Sequence, residues 1–315
     1  MIRKRSFTVI LAFVVFFVSF CTLLTSDVFA AGSTRRYRVY DANTAAYKRT
    51  YTLTTQPRSN ISAYTIYGND SREIDWTKNG VVKIVTTTAS DPGVEGLGTG
   101  FVVDKHVIAT AAHLLVSSGS LEKHMVTSID LFDASDSSEN NRKPTLSATP
   151  VEYHIPAEFE SRNDEYYDDS NGKYDPTQDY ALITVKEDLS QYMCFGIANP
   201  LDTFVSENGQ NRSGNIMTTG FPGNVTGEPD ANYTKNGAYT GYGSISAINS
   251  EYLYYNIDTS NGNSGGPVYL REVVGDRMYY TVIGINVGYA SSGNIGIRMT
   301  PDILKFYGVN PNINY

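Results

Sequence analysis

The sequence predicts an all-β fold, a sandwich or a barrel, on two observations. Short runs rich in β-branched and aromatic residues recur along the chain, among them Val81–Thr87, Phe101–Val103, Val107–Ala109, Thr127–Phe132, Ala181–Val185, Ile216–Phe221, Tyr252–Ile257 and Tyr279–Val287. Turn residues separate them, so each reads as a strand, and many short strands in one chain point to a sandwich or barrel. Helical signals are few. The best one lies near the C-terminus: Thr300 as N-cap, Pro301 at the first position, Asp302 in the first turn, apolar Ile303, Leu304 and Phe306, then Gly308 as the stop. This predicts one short closing helix.

The first residues are expected not to belong to the fold. Met1–Arg5 is basic, Ile10–Phe20 is almost wholly apolar, and Val28–Phe29–Ala30 offers a small-residue end. This pattern predicts a signal peptide over 1–30, cut after Ala30, in a secreted, extracellular protein. The competing reading is an uncleaved anchor, since the apolar run from Thr8 to Leu24 is about the minimum for a span. Residues 31–65 are polar, rich in Thr, Arg and Tyr, and without clean periodicity, so they read as a propeptide that is removed. Residues 66–190 and 191–315 remain for the folded part.

Charge is divided unevenly. Residues 1–60 hold nine Lys and Arg against two Asp and Glu, whereas residues 61–315 hold 16 against 31. A secreted domain so acidic repels phosphate, which argues against nucleic acid as a partner. The basic 31–60 segment is expected to lie on the acidic domain. Asp133–Lys143 and Glu158–Gln178 read as surface loops. The second carries six acidic side chains between Glu160 and Asp175, a composition that suits Ca²⁺ but matches no calcium-loop spacing; a plain solvated loop is the expectation. Cys21 falls in the signal peptide and leaves Cys194 alone, so no internal disulfide is expected. Cys194, between Met193 and Phe195, reads as a buried apolar residue.

The chemistry is concentrated in Asp258–Thr–Ser–Asn–Gly–Asn–Ser–Gly–Gly–Pro267. A serine hydroxyl is a weak nucleophile until a neighbouring base takes its proton, and the developing oxyanion needs backbone N–H donors. Gly262 and Gly265 around Ser264 permit a tight turn that aims such donors. The segment also fits the G-x-S-x-G elbow of α/β-hydrolases, where the base histidine follows the serine. Here His106, His113, His124 and His154 all precede Ser264, which excludes that elbow.

His113 is chosen as the base because Ala111 and Ala112 leave room for an imidazole at a strand end. His106, His124 and His154 stand in polar contexts without such framing. No His/Cys cluster has zinc-ligand spacing, and no metal or cofactor is expected. The third member should be a buried acid holding the imidazole tautomer. Asp179 precedes the apolar strand Tyr180–Val185, which anchors it; Asp168, Asp169 and Asp175 lack such a strand.

With TAAH at 110–113, DYAL at 179–182 and GNSGGP at 262–267, the chain resembles the trypsin-like serine peptidases, and within them the bacterial glutamyl endopeptidases of the staphylococcal and bacillus type. Gly220–Phe–Pro–Gly223 is similar to a further family motif, and Thr65–Arg72 looks like the family's mature N-terminus. The resemblance covers about residues 65–307. It implies two packed six-stranded antiparallel β-barrels with a short C-terminal helix. The first barrel (66–190) would carry His113 and Asp179, the second (191–315) Ser264 and the specificity pocket. It also implies an oxyanion hole made by the N–H groups of Gly262 and Ser264, and a zymogen acting on protein or peptide substrates. A monomer without a membrane anchor, whose further partner is its own propeptide, is expected.

Residue preference stays open at this level. Glutamyl endopeptidases carry histidine in a G-I-H segment; this chain has Gly284–Ile285–Asn286, and Asn donates a hydrogen bond to a carboxylate without carrying charge. Thr259 matches a pocket hydroxyl of that family, which also uses the mature N-terminal amine, here near Ile66. Asp258 stands where trypsins hold the acid that binds Lys or Arg. Preference for Glu, for basic residues, or for neutral or broad substrates all remain open. Asn263 before the serine cannot form the ion pair that activates trypsin-like zymogens, so propeptide removal must act differently, for instance by completing the pocket. A catalytically silent secreted binding module is the alternative from another class, although such proteins normally lose one of the three residues present here.

Overall fold

The computed structural model describes residues 34–54, 78–116, 122–133, 143–161, 178–192, 195–200, 216–222, 238–274, 277–290 and 293–308. The expected signal peptide, the Ile66 terminus, Cys194 and the acidic stretch 162–177 lie outside them. Almost every element is an antiparallel strand, and the strands form two sheets.

The first sheet contains β1 (Thr34–Asp41), β2 (Tyr47–Thr54), β3 (Lys78–Thr88), β4 (Glu95–Asp104), β5 (Val107–Thr110), β6 (His124–Asp133), β7 (Leu146–Ala148), β8 (Pro150–Pro156) and β9 (Ala181–Val185). Their order is β2-β1-β8-β9-β5-β4-β3-β6-β7. Only Thr149 separates β7 from β8, so one bent segment pairs with β6 through its first part and with β9 through its second. That closes a six-stranded barrel. The carboxylate of Glu187 accepts from the Thr149 N–H at 2.6 Å and from its hydroxyl at 2.8 Å, satisfying the donors freed by the bend.

The second sheet repeats this device. It contains β10 (Gly196–Ile197), β11 (Ile216–Gly220), β12 (Tyr239–Gly243), β13 (Ile245–Ile248), β14 (Tyr252–Tyr255), β15 (Pro267–Val274), β16 (Arg277–Ala290) and β17 (Gly293–Arg298). The order is β12-β11-β15-β16-β17-β14-β13, with β10 added in parallel beside β16. β12 and β13 are parted by Ser244 alone, and the Asn256 side-chain oxygen accepts from the Ser244 N–H at 2.8 Å. The fold is therefore two six-stranded antiparallel barrels. The short helix Pro301–Phe306 follows the second, with the Thr300 hydroxyl accepting from the Ile303 N–H and Gly308 at φ +80°, as its sequence predicts.

Burial follows the strand pattern. One apolar cluster joins Ile84, Phe101, Ile108, Ile129, Tyr153 and Ile183 of the first barrel to Leu304, Phe306 and Tyr307 at the C-terminus. Another, with Ile216, Leu253, Tyr255, Val268 and Ile283, fills the second barrel.

The N-terminal segment departs from expectation. Instead of an irregular stretch, 34–54 is a β-hairpin whose first strand pairs with β8 over Tyr37↔Pro156 to Asp41↔Glu152. The buried positions Tyr37, Val39 and Tyr40 on β1 are obscured in the sequence because Arg38 stands among them and a register shift after Val39 breaks strict alternation. His154, in a polar stretch of sequence, is 9% exposed, and the Tyr51 hydroxyl lies 3.0 Å from its Nδ1.

Candidate active site

Strand register brings the first two chemical groups together. β5 and β9 are antiparallel with Thr110 opposite Ala181. His113 lies three residues after Thr110 and Asp179 two residues before Ala181, so both leave the sheet at the same edge. The short 3₁₀ turn Ala112–Leu114 then presents the histidine. Asp179 is fully buried, and one carboxylate oxygen accepts from the His113 backbone N–H at 2.8 Å while the other lies 2.6 Å from His113 Nδ1. A carboxylate at that distance holds the proton on Nδ1 and leaves Nε2 as the free base.

Burial favours the neutral imidazole, but the Asp179 charge and its hydrogen bond outweigh it, so the pKa of His113 is raised above the ordinary value. Behind Asp179 stands an aromatic wall. Tyr180 meets Phe306 edge-on at 5.4 Å between ring centroids, and burial pushes the Tyr307 phenol well up, so it stays neutral beside the carboxylate.

Ser264 sits in a turn just before β15 and is half-buried. The turn needs glycine at two points, Gly262 (φ +95°) and Gly265 (φ +83°). At Gly265 a Cβ would lie 2.1 Å from the Thr99 carbonyl oxygen and 2.3 Å from the Thr110 hydroxyl, so close approach as well as conformation excludes a side chain. That approach sets the residue after Ser264 against the strand end that leads to His113.

The N–H groups of Asn263, Gly265 and Gly266 are taken by Ser260, Asn286 and Asn263 carbonyls. Those of Gly262 and Ser264 make no hydrogen bond among the described residues. Backbone N–H groups of one turn that make no such bond are donors of the kind that bind an anion.

The turn is held from the other barrel by Thr99 on β4, a residue the sequence reading did not single out. Its N–H donates to the Ser264 carbonyl at 2.8 Å, its hydroxyl donates to the Gly262 carbonyl at 2.6 Å and accepts from the Phe221 N–H at 2.9 Å. The signal was present in Gly98–Thr99–Gly100, but only the seam between barrels gives that hydroxyl its partners.

The remaining candidates separate. Asn286 is buried on β16 opposite the turn, its backbone bonded to Gly265 and Gly266. Its side-chain oxygen accepts from the buried Tyr255 hydroxyl, and its amide nitrogen makes no hydrogen bond among the described residues. Thr259 is half-buried. Asp258 is exposed, rather than set in the floor of a closed pocket. Asn263 is buried, and its side-chain oxygen has no hydrogen-bond partner among the described residues. No group of three or more His, Cys, Asp or Glu among them is placed to hold a metal, and no helix among them is long and apolar enough to cross a membrane.

The model of the trypsin-like peptidase domain matches residues 98–275. Among solved structures, a Glu endopeptidase in complex with MPD is similar with 17% identity and a TM-score of 0.48, covering 79% of this chain and 98% of that one. The protease Anisep from Arthrobacter nicotinovorans is similar with 15% identity and a TM-score of 0.46, covering 71% and 90%. A thermostable serine protease, AL20, from an extremophilic microorganism has 14% identity and a TM-score of 0.46, covering 70% and 90%. A search of curated proteins finds no match. The match over more than half the chain, together with the arrangement at the seam, identifies this protein as a member of the trypsin-like peptidase domain family and a serine endopeptidase.

Proposed function

We propose that the protein is a secreted endopeptidase that cuts peptide bonds through an acyl-enzyme, with Ser264 as nucleophile, His113 as general base and Asp179 as the orienting acid. The observation that carries this reading is the two-point hold of fully buried Asp179 on His113, through the backbone N–H and Nδ1. In the first step Ser264 Oγ attacks the scissile carbonyl while His113 Nε2 takes its proton. The N–H groups of Gly262 and Ser264 bind the oxyanion. His113 then gives its proton to the leaving amine, and the acyl-enzyme forms. Water repeats the sequence, and Ser264 is regenerated.

Cleavage after glutamate, and secondarily aspartate, is the preference that the pocket side supports best. Tyr255 holds the Asn286 oxygen, so the amide nitrogen is left to donate to an acceptor on the substrate. Asp258 is exposed, and a buried anion for lysine or arginine is not supplied by it. The half-buried Thr259 hydroxyl is a second donor in this reading. The signal peptide ends at Ala30, and a processing cut near Ile66 supplies the new N-terminus to the pocket.

The test is a peptide-library profile of the secreted protein and of its Ser264→Ala variant. Cleavage after Glu that disappears in the variant is expected, with a loss of about 10⁴-fold or more in kcat. Wild-type turnover in Ser264→Ala overturns the nucleophile, and cleavage confined to Lys and Arg overturns the preference.

A further inference from the structure

We propose that the hairpin β1–β2, residues 34–54, is a permanent part of the folded enzyme: a cut in the 55–77 segment that frees a new N-terminus leaves the hairpin in place as a second, non-covalently held chain. This goes beyond the catalytic reading and replaces the expectation that the whole 31–65 segment is discarded.

The hairpin fills a gap in the first barrel. After β7 pairs with β6, the bend at Thr149 carries β8 away from β6. Ala42, at the end of β1, bridges that opening: its N–H donates to the Val151 carbonyl at 3.1 Å, and its carbonyl accepts from the Val126 N–H at 2.8 Å. The Asn43 side chain adds a bond to the Pro150 carbonyl at 3.2 Å. Without the hairpin, Val126 on β6 and the outer edge of β8 from Glu152 to Pro156 would lose their backbone partners, and an unpaired edge is a site for aggregation.

Its side chains are core rather than cover. Val39 and Ala42 are fully buried, and Tyr37 is 1% exposed. The Tyr37 ring stacks on Phe306 of the C-terminal helix at 4.3 Å, and its hydroxyl lies 3.2 Å from that of Tyr180, the residue after Asp179. Tyr40 stacks on Tyr153 at 5.2 Å. The hairpin thus ties the first barrel to the helix that follows the second barrel, directly behind the acid.

Charge supports the same placement from the rim. The segment has five Arg and Lys and one Asp. Arg49 grips Glu152 with two 2.9 Å bonds, Lys48 reaches the same carboxylate at 3.3 Å, and Arg35 bonds Asp302 at 3.0 Å. An apolar centre within a charged rim is the anatomy of a lasting interface.

The experiment places a recognition sequence for a specific protease within residues 55–65, cuts the enzyme after folding, and passes it through size exclusion in 1 M NaCl. Denaturing mass spectrometry then reads which chains elute together, and thermal melting reads the remainder. Cutting after folding avoids a deletion variant that fails to fold for lack of the hairpin. Co-elution of the fragment that carries residues 34–54 supports the proposal. Its release, whatever the Tm of the remainder, overturns it. Mass and Tm need no turnover, so failure here is distinct from failure of the catalytic assignment.

Discussion

The Thr99 hydroxyl on the first barrel donates to the Gly262 carbonyl on the second at 2.6 Å, across the seam between the two barrels. The same fully buried oxygen accepts from Phe221, so one side chain locks two segments of the second barrel to β4. Thr99→Val keeps the shape and removes the donor. It leaves a buried carbonyl and a buried N–H without a partner, a cost of about 1–3 kcal/mol each. We expect lower stability and a fall in kcat on the order of 10- to 100-fold as the oxyanion donors lose alignment. KM should change little, and Thr99→Ser should restore most of the rate. Urea unfolding with steady-state kinetics checks this; a Thr99→Val enzyme with unaltered kcat would remove the positioning role.

Asp179 sets both tautomer and pKa. Because the base must be neutral and its pKa is raised, activity should fall on acidification with a midpoint above the ordinary histidine value of about 6.5. In Asp179→Asn the charge that raises the pKa is gone while burial still opposes protonation, so the midpoint should move to lower pH. The same variant should lose about 10⁴-fold in kcat because the tautomer is no longer held. A pH profile of kcat/KM for both enzymes is the measurement, and an unshifted acid limb in the variant contradicts the role given to Asp179.

The Tyr255 hydroxyl donates to the Asn286 side-chain oxygen and so fixes which end of the amide is left to donate, the end that the proposed preference uses. The buried phenol is kept protonated because burial pushes its pKa upward, so it remains a donor. Tyr255→Phe frees the amide to turn. Discrimination for Glu over an apolar residue of similar size should weaken by about 10-fold, the scale of one hydrogen bond. Rates on apolar substrates should hardly change. Peptide kinetics with paired substrates test this, and an unchanged ratio would argue that Asn286 does not read the substrate.

Acid should weaken the barrel beneath the hairpin. Burial holds His154 neutral and lowers its pKa to about 4, against partial opposition from Glu152. In the unfolded chain the same group takes its proton near pH 6.5. Between those values the unfolded state binds more protons, so stability falls as pH drops from about 6.5 to 4, by up to about 3 kcal/mol. Glu152, lowered to about 2 mainly by its hydrogen bonds from Arg49, contributes stability above its unfolded value near 4.5 that is lost on approach to 2, below this window. His154→Gln should flatten the pH dependence of Tm between 6.5 and 4. Equal slopes in the two proteins would assign the acid sensitivity elsewhere.

Much of the fold is legible in local pattern. The runs at 81–87, 107–109 and 181–185 lie within β3, β5 and β9 because fully buried strands read as apolar stretches whatever their partners. The helix at Pro301 announces itself by its cap and stop. By contrast β1 and β2 were hidden, since charged residues and threonines surround the few side chains that face the core, Tyr37, Val39 and Tyr40 on β1.

The sequence by itself determined the identities of the chemical groups: a serine in a glycine turn, histidines only upstream of it, and an aspartate at the mouth of an apolar strand. Those are statements about residue type and order, which local chemistry constrains. Only the tertiary structure decided what each group touches. The Thr110↔Ala181 register brings Asp179 to His113, Thr99 holds the Ser264 turn from the opposite barrel, Tyr255 orients Asn286, and a basic N-terminal segment becomes core. Each depends on contacts between residues dozens to more than two hundred positions apart, and packing of that range leaves no periodic mark on the chain.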